Sequence, residues 1–249
     1  MSDVGITKET IIYHYMEIKY LCGMLDNGTF HISRKCYFKD KYEKELLTKK
    51  KWFAFSLIGD NVHQQNTNVI QESINKRRMQ FKIQSSLLTS CWSLGPRENS
   101  LMWENYATVA NGICIKTTIG KFAESLCVDS YELLCGKIQY MSREQTTNIK
   151  DAEWMKNPEY IGENEIRFYF KEIHQLPFPI HDKKDAVYVG IDYRTLIDKI
   201  ILSPGMPKDE KQRWREYLSK AYMIKEKDII DSSIELEYKY SMLPSETIL

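Results

Sequence analysis

The chain has 249 residues, with 35 basic and 34 acidic side chains and a formal charge of +1. A hydrophobic share of 43% and a charged share of 28% exclude a disordered or collagen-like chain, and the near-zero balance argues against a wholly basic nucleic-acid coat or an acidic tail protein. The length suits a single mixed α+β domain over residues 1–249, with a core that needs no disulfide or metal staple.

Thr10-Ile11-Ile12-Tyr13-His14-Tyr15 is β-branched and aromatic and predicts a strand. A helix from Met16 to Asp26 follows, with Ile18, Leu21, Cys22 and Leu25 as its apolar stripe and Asn27-Gly28 as its stop. Phe30–Ser33 returns as a short strand, and charged helices are expected over Asp40–Lys51 and Asn66–Lys82. Ser86–Leu94 predicts a strand, Ser100–Ala107 a helix, and Gly112–Lys116 a strand after the Asn111-Gly112 turn. In the second half, Gly136–Met141 predicts a strand and the polar Glu144–Asn157 a helix and loop. Glu165–Glu172 alternates Ile166, Phe168 and Phe170 against Arg167, Tyr169 and Lys171, which is the period of a strand. Leu176–Pro179 is a loop, and Ala186–Ile191 and Ile197–Leu202 are short strands around one helical turn. Pro204-Gly205 breaks the chain before a helix over Lys208–Lys220, and Ile234–Tyr240 predicts the final strand. The irregular alternation of strands and helices, with several strands consecutive, favours α+β over a doubly wound sheet.

The charge is unevenly spread. Residues 1–100 carry 15 basic and 10 acidic side chains, and the remainder 20 and 24. The excess centres on Lys49, Lys50 and Lys51 and on Lys76, Arg77 and Arg78, which read either as solvated helix faces or as a patch facing a polyanion. The opening residues have no secretory signal pattern, and no apolar run is long enough to span a membrane. The six cysteines form no Cys-x-x-Cys pair and sit mostly in apolar runs, as reduced, buried cysteines of a cytoplasmic protein do. The histidines at 14, 31, 63, 174 and 181 share no ligand spacing, so no metal site is expected.

The chain lacks a dinucleotide-binding Gly-x-Gly-x-x-Gly after a strand, a phosphate loop, a Gly-x-Ser-x-Gly elbow and a His-Glu-x-x-His helix. Any chemistry must come from dispersed residues. Tyr13, His14 and Tyr15 end a strand, where side chains meet a ligand or form a buried cluster. Ser90 to Ser93, then Trp103 and Tyr106, give hydroxyls and dense aromatics, as core packing or as an aromatic slot. Glu163 and Glu165 lie two apart at the start of an extended segment and so face one side. Two close carboxylates raise one pKa and suit glycosidic cleavage through an oxocarbenium-like state; the alternative is a solvated strand edge with Arg167 as partner.

In order, these segments resemble the bacterial domain-of-unknown-function 2971 family. Tyr13-His14-Tyr15 and the run from Ile18 through Leu21 to Asn27-Gly28 look like its opening strand and helix. Phe38-Lys39-Asp40-Lys41-Tyr42-Glu43 is similar to its Phe-Asn-Asp-Pro-Phe-Glu box, with lysines where the family has Asn and Pro. Ser90 to Ser93, Leu101-Met102-Trp103 through Tyr106-Ala107 and Gly112–Ile115 resemble its central block. Tyr160 through Glu163-Asn164-Glu165-Ile166-Arg167 resembles its Glu-x-Glu-x-Arg segment, and Leu196–Pro204 and Ser233–Leu236 its later ones.

The same order is similar, more distantly, to ADP-ribosyltransferases. That resemblance implies a split β-sandwich core with surrounding helices and NAD as the substrate. His14, flanked by Tyr13 and Tyr15, would hold NAD; Ser90 or Ser93 would support the nicotinamide slot, with Tyr106 or Trp103 as its wall. Glu165 would stabilise the oxocarbenium and Glu163 would orient the acceptor. It further implies a bacterial toxin or phage-defence effector that modifies a nucleic acid or a protein, with an antitoxin as partner. The basic residues named above fit an RNA or DNA acceptor. A nuclease and a non-catalytic nucleotide-binding sensor are the competing activities.

Overall fold

The computed structural model describes residues 5–34, 88–127, 132–142, 154–171 and 186–235. The expected helices over 40–51 and 66–82, the box at 38–43, the loop at 176–179 and the basic residues Lys49, Lys50, Lys51, Lys76, Arg77 and Arg78 lie outside the described residues.

The chain opens with β1 (Ile11–Glu17), α1 (Ile18–Asn27) and β2 (Thr29–Arg34). Ile18, Leu21, Met24 and Leu25 bury one stripe of α1, and Gly28 at φ 59° reverses the chain, a left-handed conformation that glycine adopts without steric cost. β3 (Leu88–Leu94), α2 (Ser100–Tyr106), β4 (Gly112–Thr118) and α3 (Ile119–Ser125) follow. Then come β5 (Glu132–Lys137), β6 (Gln139–Tyr140), β7 (Met155–Lys156), a 3-10 turn at Pro158–Glu163 and β8 (Glu165–Lys171). The described chain closes with β9 (Ala186–Gly190), α4 (Tyr193–Leu196), β10 (Lys199–Leu202), α5 (Lys208–Tyr222) and β11 (Ile229–Asp231).

The fold is mixed α+β. Nine strands share one open, mostly antiparallel sheet, with β10 and β11 parallel. The path runs β11-β10-β4-β1-β3-β2-β9, and β8 lies on the other side of β3 with β5 beyond it. None of the described helices is long and apolar enough to cross a membrane.

The sheet forks at β3. β8 pairs along one edge of β3, from Leu88↔Phe170 to Ser93↔Glu165. On the opposite edge β1 pairs only at Ile12↔Leu94 and Tyr13↔Ser93, while β2 joins at Ser33↔Thr89 and Arg34↔Leu88. Between these two footholds β1 and β2 part, and α1 connects them across the gap.

Strand alternation sorts the two faces. Ile12 and Met16 of β1, Trp92 of β3, Ile113 and Ile115 of β4 and Phe168 of β8 join the main core with α1, α3 and α5. Tyr13 and Tyr15 of β1, Cys114 of β4 and Ile201 of β10 form a second cluster under α2, with Met102 and Trp103.

Several sequence expectations change. The strand expected over Gly136–Met141 is divided: buried Ile138 still donates its N–H to the Glu165 carbonyl at 2.9 Å, in register with β5 and β8, and beyond it the chain changes partner and pairs with β7 as β6. The described end of the Glu144–Asn157 segment is strand β7, because Lys156 is drawn inward by two glutamates. Ile234 and Glu235 are not in a strand; the edge beside β10 belongs to β11 instead, and 236–240 lie outside the described residues. The cysteines are not uniformly buried: Cys114 is, whereas Cys127 and Cys135 are exposed.

Candidate functional site

The fork opens a cleft of about 730 Å³. His14, Tyr15 and Met16 line it from β1, Lys19, Tyr20, Gly23, Met24 and Asn27 from α1, Thr29, Phe30 and His31 from β2, and Tyr106 and Tyr188 from α2 and β9. No aspartate or glutamate is among these lining residues, whereas one lysine and two histidines are. The cleft is largely aromatic, and its one lysine is paired with Glu17 at 2.8 Å.

His14 sits where the strands part. Its Nδ1 lies 3.1 Å from the Cys91 carbonyl oxygen, and a carbonyl can only accept, so Nδ1 carries the proton. Its ring leans on Trp92 at 4.8 Å and on Phe30 at 5.3 Å. Burial among these rings outweighs the Cys91 bond and lowers the imidazole to about 4, so it is neutral at physiological pH, with Nε2 as an acceptor.

Tyr15 faces the other way, as strand alternation requires. Its ring meets Trp103 edge-on at 5.1 Å, and its hydroxyl accepts from the Asn99 N–H at 2.7 Å. Asn99 is the N-cap of α2: its Oδ1 accepts from the Leu101 N–H at 3.0 Å. Its Nδ2 donates to the Gly162 carbonyl at 2.6 Å, which ties α2 to the turn carrying Glu163. At the far end of α2, the Tyr106 hydroxyl donates to Glu163 Oε1 at 2.9 Å.

Behind Tyr106 lies a buried charge quartet. Glu163 and Glu165 are 2% and 3% exposed, and Arg167 is fully buried. Lys156 Nζ donates to Glu163 Oε2 at 2.6 Å and to Glu165 Oε2 at 3.1 Å. Arg167 grips Glu165 through Nε at 2.5 Å and Nη2 at 3.2 Å. Two carboxylates thus face two cations. Burial pushes the Glu165 carboxyl up, but Arg167, Lys156 and the Cys91 thiol overcome it and hold the group at about 2. Lys156 is held above its ordinary range: burial opposes the charge, and the facing glutamates outweigh it.

Two expectations about the glutamates need correction. They do not lie side by side on extended backbone: Glu163 ends a 3-10 turn, and Asn164 at φ 45° reverses the chain before Glu165 opens β8. Their carboxylates meet because both grip Lys156. The rise expected from mutual repulsion is absent at Glu165, because the two cations neutralise the pair.

Of the expected site residues, His14, Tyr15 and Tyr106 share the cleft, and Glu163 joins them through the Tyr106 hydroxyl. Tyr13, Ser90, Ser93 and Trp103 are not among its described lining residues, and each is committed elsewhere. Tyr13 donates to the Pro96 carbonyl at 3.4 Å. Ser90 accepts from Trp92 Nε1 at 2.8 Å, and Ser93 donates to the Glu163 carbonyl at 2.8 Å. Trp103 donates from Nε1 to Glu98 at 3.1 Å. Lys156, Lys19 and His31 escaped the sequence reading. The one local signal was on α1, where Lys19, Gly23 and Asn27 recur every four residues along one face.

Among the described residues, no group of three or more His, Cys, Asp or Glu side chains is placed to hold a metal ion. Compared with known protein families and with curated proteins, the chain matches none.

Proposed function

We propose that the fork cleft is a nucleotide site and that the protein is an ADP-ribosyltransferase-like enzyme consuming NAD. One observation carries the reading: the sheet splits beside His14 into an aromatic cleft free of lining carboxylates, with the buried Glu163 one hydrogen bond behind its Tyr106 wall. A pocket of about 300–1,000 Å³ is the usual size for a small-molecule site. The rings of Tyr20, Tyr106 and Tyr188 suit planar bases, and Lys19 and His31 suit phosphates. His14 Nε2 accepts a hydrogen bond from a ribose hydroxyl or a carboxamide.

The chemistry is glycosyl transfer. The bond from ribose C1′ to the nicotinamide nitrogen breaks, and its electron pair leaves on nicotinamide. Positive charge develops at C1′ and the ring oxygen, where a nearby carboxylate stabilises it. A nucleophile on the acceptor bonds to C1′ and releases its proton to solvent. The resemblances in the sequence favour a toxin or phage-defence effector with a nucleic acid or protein acceptor and an antitoxin partner. The proposal includes a core of the split β-sandwich, ADP-ribosyltransferase type.

A second reading has its own support. Both glutamates are neutralised by Lys156 and Arg167, which suits a non-catalytic nucleotide sensor. The separating experiment incubates the purified chain with adenylate-labelled NAD and a cell lysate. Nicotinamide release with label transfer, lost in a folded His14→Ala variant, is the expected result. Stabilisation by NAD without release establishes the sensor, and neither binding nor release overturns both.

A further inference from the structure

We infer that Tyr106 is a shutter over Glu163, and that Glu163 rather than Glu165 is the carboxylate a ligand in the cleft meets. The inference rests on reading the fork cleft as the substrate site. Glu165 is saturated: Arg167 takes both of its oxygens, Lys156 shares one, and the Cys91 thiol donates to it as well. Glu163 is asymmetric. Its Oε2 is bound by Lys156, and its Oε1 accepts from the Tyr106 hydroxyl.

Tyr106 belongs to both places. It lines the cleft, it is 47% exposed, and its hydroxyl reaches a carboxylate that is 2% exposed. It is the last residue of α2, so its ring turns without disturbing the helix core, which is made by Met102 and Trp103. Asn99 fixes the helix itself, between the Tyr15 hydroxyl and the Gly162 carbonyl. Opening is therefore a side-chain rotation against a fixed frame. It uncovers Oε1 on the cleft side while Lys156 keeps Oε2 in place. The phenol stays protonated in the closed state, since burial and Glu163 outweigh Lys156 and raise its pKa. The closed form is thus a stable resting state, and ligand binding must break one charge-assisted hydrogen bond.

The test reads carboxylate access directly. The full chain is treated with a water-soluble carbodiimide and glycine ethyl ester, and coupling is mapped by mass spectrometry. Glu163 and Glu165 should both resist coupling in the wild type. Tyr106→Ala should couple Glu163 faster by roughly tenfold, Tyr106→Phe should fall between, and Glu165 should stay silent in all three. Unchanged Glu163 coupling in Tyr106→Ala, or Glu165 coupling in step with Glu163, overturns the shutter whatever the ligand. NAD titration is the second arm. Tyr106→Phe, which keeps the ring, should bind NAD roughly tenfold more tightly than wild type, because the closed state no longer taxes binding. Wild type binding NAD with Tyr106→Phe no tighter sinks the shutter alone. Wild type failing to bind NAD while the coupling order holds sinks the substrate reading alone.

Discussion

The His14 imidazole stands in for a missing strand: its Nδ1 lies 3.1 Å from the Cys91 carbonyl, at the point where β1 leaves β3. Strand pairing there stops at Tyr13↔Ser93, so the Cys91 carbonyl would otherwise face the gap. An imidazole that donates through Nδ1 satisfies the backbone and keeps its other nitrogen for the cleft. The fork, the cleft and the tautomer of His14 are one feature.

That arrangement predicts a pH window. His14 falls from its ordinary 6.5 to about 4 on folding, because burial disfavours the cation. The unfolded chain then binds the proton more readily, so the contribution is complete above 6.5 and is lost as pH falls toward 4. Urea midpoints measured between about pH 7 and pH 5 should drop for wild type and change less for His14→Gln. Equal slopes would refute the buried neutral imidazole.

The quartet predicts a separate, more acidic window. Glu165 is lowered from 4.5 to about 2, so its contribution is present above 4.5 and is lost as pH falls through 2. Removing the carboxylate takes the Nε and Nη2 bonds from buried Arg167 and one of two carboxylate partners from Lys156. Glu165→Ala should cost about 3–5 kcal/mol in denaturant unfolding, and Glu165→Gln less. A loss below about 1 kcal/mol would mean that the ion pairs are solvated.

Gly112 tests the turn that seats β4. A Cβ there would lie 2.5 Å from the Thr108 carbonyl oxygen and 2.7 Å from the Ala107 Cβ. The oxygen is backbone and cannot swing aside, so Gly112→Ala should lower stability by about 1–3 kcal/mol. Thermal unfolding at matched concentration measures it.

Lys19 tests the electrostatics of the cleft. Its ion pair with Glu17, at 2.8 Å, is exposed, so Lys19→Ala should change stability by about 0–1 kcal/mol. ADP-ribose binding, in contrast, should weaken and lose part of its salt dependence. Calorimetric titration at two salt concentrations separates the two effects.

Local chemistry explains what the sequence revealed. β1, α1 and β2 are legible because an apolar stripe and Asn27-Gly28 are signals within one segment. β8 is legible from its alternation, although Arg167 and Tyr169 on its second face are as buried as Phe168 on the first. β7 and β11 are not, since two or three residues carry no period and exist only through distant partners. The site divides in the same way. His14, Tyr106 and the glutamates stand out by residue type, but Lys156 enters through a hydrogen-bond network that no spacing encodes. Tyr13, His14 and Tyr15 look like one cluster in the sequence, and alternation sends His14 to one face and the tyrosines to the other.

The central claim is that the fork cleft holds NAD, and Gly23 gives the cleanest test of it. Gly23 lines the cleft from the middle of α1, and a Cβ there meets nothing within 4 Å. Gly23→Phe adds a ring to the cavity at a helical position where glycine is itself costly. NAD titration should show binding by wild type and none by Gly23→Phe, with an unfolding temperature at least as high as wild type. Undiminished NAD binding by the folded variant would contradict the account.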